Sequence, residues 1–219
     1  MNQNKTKEEI RKKIIEAAKI YERYLSGKTF LYVYGENFFE VEFRNGRFQH
    51  LTGIDSKLTA ESFFKDAKKG RIGTGQFYFN REKGNNIKTA KKKLDCLAHL
   101  PQITNSLVCV LEGMHTLTMN YTLGVTNLKF TLGLVEDLDA EGNKKSNIFL
   151  PRTLRVKDKS IENSKNSYFI DFIFVKGIKN NVIKLRILKH RFTIGASKEA
   201  LFFCFLLKKD LTIRQFRAA

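Results

Sequence analysis

The sequence predicts an α+β fold in which an antiparallel sheet carries its helices on one side. Three observations lead there. Apolar residues recur at helical spacing in several stretches before Pro101, the period changes to two after it, and the connections between periodic stretches are short. With 219 residues, 42% of them hydrophobic and 19 of them Phe, the chain has ample material for a packed core. No internal repeat or low-complexity linker divides it, which favours one domain over residues 28–219 with residues 1–27 as an accessory N-terminal helix.

The elements follow in order. Residues 7–25 read as an amphipathic helix, with Ile10, Ile14, Ala17, Ala18, Tyr21 and Leu25 on one side and Lys and Arg on the other, closed by Gly27. Thr29 to Tyr34 and Phe38 to Phe43 form a hairpin around Gly35-Glu36-Asn37; its second strand alternates Phe39, Val41 and Phe43 with Glu40 and Glu42. A turn at Asn45-Gly46 leads to Phe48-Gln49-His50-Leu51-Thr52-Gly53-Ile54, read as a strand giving way to a loop. A helix capped by Thr59 comes next, and another from Ile87 with Ala90, Leu94 and Leu97 on its apolar face, which Pro101 is expected to stop. The alternations around Leu107–Leu111, Leu117–Leu123, Leu128–Leu134 and Ile148–Val156 predict strands, followed by Tyr168–Val175 and Val182–Leu188. Lys198 to Lys209 fits helix or strand equally.

The charge balance narrows the function classes. Lys and Arg number 40 against 22 Asp and Glu, a formal net charge of +18, which points to nucleic acid or an anionic membrane as partner. Between Phe172 and Lys198 there is no acidic residue, while Lys176, Lys179, Lys184, Arg186, Lys189, Arg191 and Lys198 fall within it, so the charge is displayed on strands and not along a tail. The bland alternative is a charge that serves solubility alone. The first residues lack the apolar core of a signal peptide, and the longest apolar run, Leu201 to Leu207, is too short to span a bilayer. A cytoplasmic protein is the expectation. Cys96, Cys109 and Cys204 are odd in number and embedded in apolar sequence, as reduced core thiols are; with no Cys or His pair at ligand spacing, no metal and no cofactor is expected.

Few residues carry chemistry. Ser26-Gly27-Lys28-Thr29 imitates the end of a phosphate-binding loop but lacks the upstream glycine and precedes a strand, so it is set aside. His50 stands just before Thr52-Gly53: a neutral imidazole can take a proton, and a following hydroxyl and amide can hold a phosphate oxygen, or else His50 satisfies a local carbonyl. Arg152 and Arg155 flank Thr153 in a strand, where guanidinium groups can stabilise phosphate charge or simply face solvent. Asp171 is either a buried partner for such an arginine or an edge residue pointing to water.

Lys28-Thr29-Phe30-Leu31-Tyr32-Val33-Tyr34, then Phe39-Glu40-Val41, Phe48-Gln49-His50-Leu51-Thr52-Gly53, Gln76-Phe77-Tyr78-Phe79 and Lys91-Lys92-Lys93-Leu94 together resemble the phage-borne barnase/EndoU/colicin/RelE-like nuclease domains. The resemblance implies helices packed on a curved antiparallel sheet and a metal-independent endoribonuclease, used as a toxin or host-takeover factor, that lets the 2′-hydroxyl of RNA attack the adjacent phosphate. In that chemistry His50 is implied as general base or acid and Thr52 as phosphate ligand. By residue type, Arg152 or Arg155 stands as transition-state cation, Lys57 as a phosphate contact, and Tyr168 as candidate for the second proton-transfer group. Lys184, Arg186, Lys189 and Arg191, with Arg155, stand as the RNA-gripping surface. The expected partners are RNA and an acidic antitoxin or immunity protein. A non-catalytic nucleic-acid-binding module, or a basic protein that binds an acidic host protein, are the rival readings.

Overall fold

The structure is a computed structural model that describes residues 3–80, 85–104, 107–115, 120–156, 160, 162–179 and 182–190, the side chains at 3, 147, 177–179 and 182–190 excepted. Among these residues eleven strands and four α-helices alternate: α1 (Gln3–Tyr24), β1 (Thr29–Tyr34), β2 (Asn37–Glu42), α2 (Phe48–Thr52), β3 (Asp55–Ser56), α3 (Ala60–Lys68), β4 (Phe77–Tyr78) and α4 (Ile87–Leu97), then β5 (Cys109–His115), β6 (Asn120–Thr126), β7 (Phe130–Leu138), β8 (Lys144–Val156), β9 (Asn166–Phe169), β10 (Phe172–Lys179) and β11 (Val182–His190). Nine strands form one sheet in the order β11-β10-β1-β2-β8-β7-β6-β5-β9, while β3 and β4 pair separately. All neighbours in the large sheet are antiparallel except β2 and β8.

The sheet curls. β9 lies at one edge of the order and β10 near the other, yet only Ile170 and Asp171 separate them in sequence. A flat sheet cannot place them so, and the closing contacts confirm the curvature. The ring of Tyr34 on β1 meets that of Tyr168 on β9 at 5.6 Å between centroids, and the Tyr34 hydroxyl donates to Glu112 Oε1 of β5 at 2.8 Å. The stretch Tyr168–Val175, expected as one strand, is therefore broken where the chain crosses this seam. There Asp171 accepts the Gly35 N–H at 2.8 Å and gives its own N–H to Val33 O, so it neither pairs with an arginine nor points only to water.

The main core gathers Ile10, Ile14, Ala17, Ala18 and Tyr21 of α1 with Phe30 and Tyr32 of β1, Phe39 and Val41 of β2, Phe63 and Phe64 of α3, and Leu94 and Leu97 of α4. The helix expected at 7–25 thus shares its apolar face with the sheet strands. Thr59 caps α3 by accepting the Ser62 N–H at 3.2 Å, and Asn86 caps α4 in the same way at 2.9 Å. α4 ends at Leu97, ahead of Pro101, which sits inside a short 3-10 segment, Leu100–Thr104, where its fixed φ is tolerated.

The segment read as strand from Phe48 is instead the short helix α2. Phe48, Leu51 and Thr52 are its buried residues, at i, i+3 and i+4, and Gly53 closes it in the left-handed conformation (φ 66°, ψ 31°). The alternation of Phe48, His50 and Thr52 imitated a strand because a single helical turn is too short for its period to declare itself. The turn before α2 is held from below: buried Tyr21 donates its hydroxyl to Arg44 O at 3.0 Å and packs edge-on against Phe43, Phe48 and Phe64.

Candidate active site and cationic cleft

A break in sheet pairing creates the cleft. The parallel contact between β2 and β8 lasts only from Glu40↔Ile148 to Val41↔Phe149, after which β2 ends and the chain turns through Arg44–Arg47 into α2. The rest of β8 keeps β7 on one side and no strand on the other among the described residues. Both α2 and α4 lie against β8 there.

β8 carries a bulge at the same place. The register steps from Gly133↔Thr153 to Leu134↔Pro151, which leaves Arg152 as the extra residue. In an unbroken strand Phe149 and Leu154, five positions apart, would face opposite sides; both enter the main core, because the added residue shifts the phase. Such bulges re-aim side chains, and this one turns Arg152 toward α2.

His50 is on the exposed side of α2, with Arg47 one turn before it. The imidazole is held below its usual titration range, first by the protein that displaces water from it, then by the charges of Arg152 and Arg47, with Asp55 opposing. Arg47 is half-buried and destabilised in its charged form by that burial and by Arg152 and Arg44. On the other wall, Lys93 of α4 is pushed down by burial and by Arg155. Its stem lies across Gly53: a Cβ built there would come within 2.8 Å of Lys93 Cδ. A glycine at 53 therefore serves both the left-handed cap and the close approach of the lysine.

Tyr121 of β6 completes the group. Its hydroxyl bonds to Thr153 and lies in the field of Arg155 and Arg152, while burial, the leading effect, raises its pKa so that it keeps its proton. Gly133 makes room for the ring: a Cβ at that position would meet Thr153 Cγ2 at 2.9 Å and the Tyr121 ring at 3.2 Å.

Arg47 and Arg152 thus lie beside His50, Lys93 lies in the field of Arg155, and none of Arg47, Arg152 and Lys93 makes an ion pair with an acid among the described residues. Half-buried like charges repel, and an anion in the cleft would relieve them. No three His, Cys, Asp or Glu side chains gather as a metal ion needs among the described residues.

The expected site residues are sorted by this geometry. Arg152 acts on His50, while Arg155 lines the cleft between α4 and β8. Thr52 does not offer itself to a phosphate: it is fully buried, and its hydroxyl donates to Gln49 O at 2.7 Å and accepts from Ile54 N at 3.1 Å. Tyr168 lies on β9, four strands from β8 in the sheet order, against Tyr34. Lys57 is exposed beyond β3, its N–H bonded to Gln76 O. Lys176 is not displayed as a free charge but pairs with the buried Glu40, 3.1 Å from both carboxylate oxygens. Lys184, Arg186 and Lys189 are on edge strand β11, their side chains outside the described set, and Arg191 lies outside the described residues. Arg47, Lys93 and Tyr121 went unsingled: Lys93 sat in a lysine-rich helix face that reads as solvated, and Tyr121 in a strand alternation that reads as core.

A family model described as phage-Barnase-EndoU-ColicinE5/D-RelE like nuclease4 matches residues 13–191. No curated protein matches, and no solved structure matches.

Proposed function

As this chain belongs to the phage-Barnase-EndoU-ColicinE5/D-RelE like nuclease4 family, we propose that it is an endoribonuclease that cleaves cellular RNA by attack of a 2′-hydroxyl on the adjacent phosphate, with side-chain cations in place of a metal. A toxin or host-takeover role, with an acidic protein as inhibitor, fits that activity and the net charge of +18. The observation that carries the reading is the meeting of His50 with Arg152 and Arg47. His50, neutral near pH 7 because its charged form is disfavoured, removes the 2′-hydroxyl proton. Arg152 and Arg47 take up the charge that grows on the phosphoryl oxygens.

One observation favours a non-catalytic nucleic-acid-binding module instead. No hydrogen bond orients either nitrogen of His50 among the described residues, whereas a general base is usually held by a second group. Incubation with total RNA in excess EDTA, beside a His50→Ala variant, separates the two. Fragments from the parent and none from the variant support the enzyme. Intact RNA in both, retained by the protein at low salt, overturns it in favour of the binding module.

A further inference from the structure

We infer that the cleft between α4 and β8 is a second phosphate subsite, distinct from the His50–Arg152–Arg47 centre, and that the ligand is a polynucleotide gripped at two phosphates. The inference rests on the nuclease reading and names how that site holds its substrate. The cleft has a volume of about 300 Å³ and is lined by Thr89, Lys92 and Lys93 of α4 and by Thr153, Leu154, Arg155 and Val156 of β8. Hydroxyls and cations are the groups that bind phosphate, and here they face one another across a concavity.

Lys93 is the residue on which the subsite turns. Its ammonium is half-buried with no ion pair among the described residues, and its stem is fixed against Gly53. A lysine meant only for solubility would extend into water, where its charge is cheapest. Arg155 and Arg152 are three residues apart on β8, so even with the bulge at Arg152 shortening the roughly 10 Å of a regular strand they stand at separate points along it. A chain of phosphates can bridge that span, whereas a lone phosphate fills only one end.

The test is binding of a 2′-deoxy hexanucleotide, which cannot undergo the proposed reaction, to the full chain and to Lys93→Met, whose stem still packs on Gly53. Lys65→Met, at an exposed position of α3, removes the same charge elsewhere. The expected result is a loss of affinity of roughly tenfold for Lys93→Met and much less for Lys65→Met, since a charge-assisted contact in a partly dry site outweighs a screened surface charge. Kinetics of Lys93→Met on RNA should then show KM rising by a larger factor for a hexanucleotide than for a single-phosphate dinucleotide. Equal losses in the two variants would overturn the subsite and leave general surface charge. If no RNA is cut by the parent while the hexanucleotide result stands, the catalytic reading fails and the subsite survives.

Discussion

Arg44 and Arg47 lie three residues apart in one turn and end in opposite circumstances. Arg44 is clasped by acids: its two terminal nitrogens reach Asp137 at 3.1 and 2.6 Å, and its Nε reaches Glu42 at 2.8 Å. Its proton is held more tightly and the Asp137 carboxyl is pulled below the usual aspartate range, both chiefly by that hydrogen-bonded pairing. Arg47, by contrast, is half-buried and faces Arg152 and His50. The same residue type stabilises the fold in the first setting and strains it in the second. The contrast teaches that one turn joins an arginine closed by two hydrogen-bonded acids to one whose charge is disfavoured by burial, Arg152 and Arg44 against the opposing field of Asp137, so that Arg47 is the one a bound anion would relieve.

That contrast can be broken most sharply at His50. Replacing it with Ala should lower kcat/KM on RNA by about 10²–10⁴-fold, the range of a lost acid–base group, with an unchanged melting temperature. A variant that cuts RNA as well as the parent would remove His50 from the chemistry. Next comes the arginine pair: Arg152→Ala should reduce kcat by about 10²-fold as a transition-state cation, whereas Arg44→Ala should leave the activity per folded molecule nearly intact while lowering stability. Equal activity losses from both would dissolve the division between the two regions.

The compensated side is tested by Asp137→Asn. It should destabilise by about 1–2 kcal/mol, which is about 2–8 °C in melting temperature for a chain of this size. The pH dependence has a defined sign. Because the folded carboxyl titrates below its ordinary value of 3.8, its contribution is present above that value and fades as pH falls through the lower folded one. Parent and variant should therefore converge in strong acid when unfolding is followed by denaturant titration; a gap that persists there would show that charge pairing is not its source.

The smallest effect is the most diagnostic. Arg152→Gln removes a like charge from beside His50 and Arg47, so it should raise the stability of the free protein by about 0.5 kcal/mol. It should also move the His50 titration, read by NMR, upward toward the ordinary value of 6.5, because only burial and Arg47 would remain to depress it. A downward shift, or none, would mean that Arg152 does not act on the imidazole.

Much of this was legible in the chain. The apolar face of α1, the cap Thr59, the hairpin of β1 and β2 and the alternations of β6 and β7 depend on neighbours within a few residues, and sequence records such neighbours directly. His50, Arg152 and Arg155 were legible as chemistry-bearing residue types. Their assembly was not, since α2 and β8 are about a hundred positions apart and nothing in a linear pattern reports that β2 releases β8 at Phe149.

By itself, then, the sequence determined an α+β chain with strongly basic character and a histidine worth following, because composition and period are local quantities. Tertiary structure alone decided which basic residues are spent and which remain. Lys176 is neutralised by Glu40, which its register on β10 brings within reach, and Arg44 by Asp137, which β7 supplies. Arg47 meets Arg152, whose strand carries a one-residue bulge, and Lys93 lies across the glycine at 53 in the field of Arg155; whether a charge finds its opposite depends on distances that only the folded chain sets.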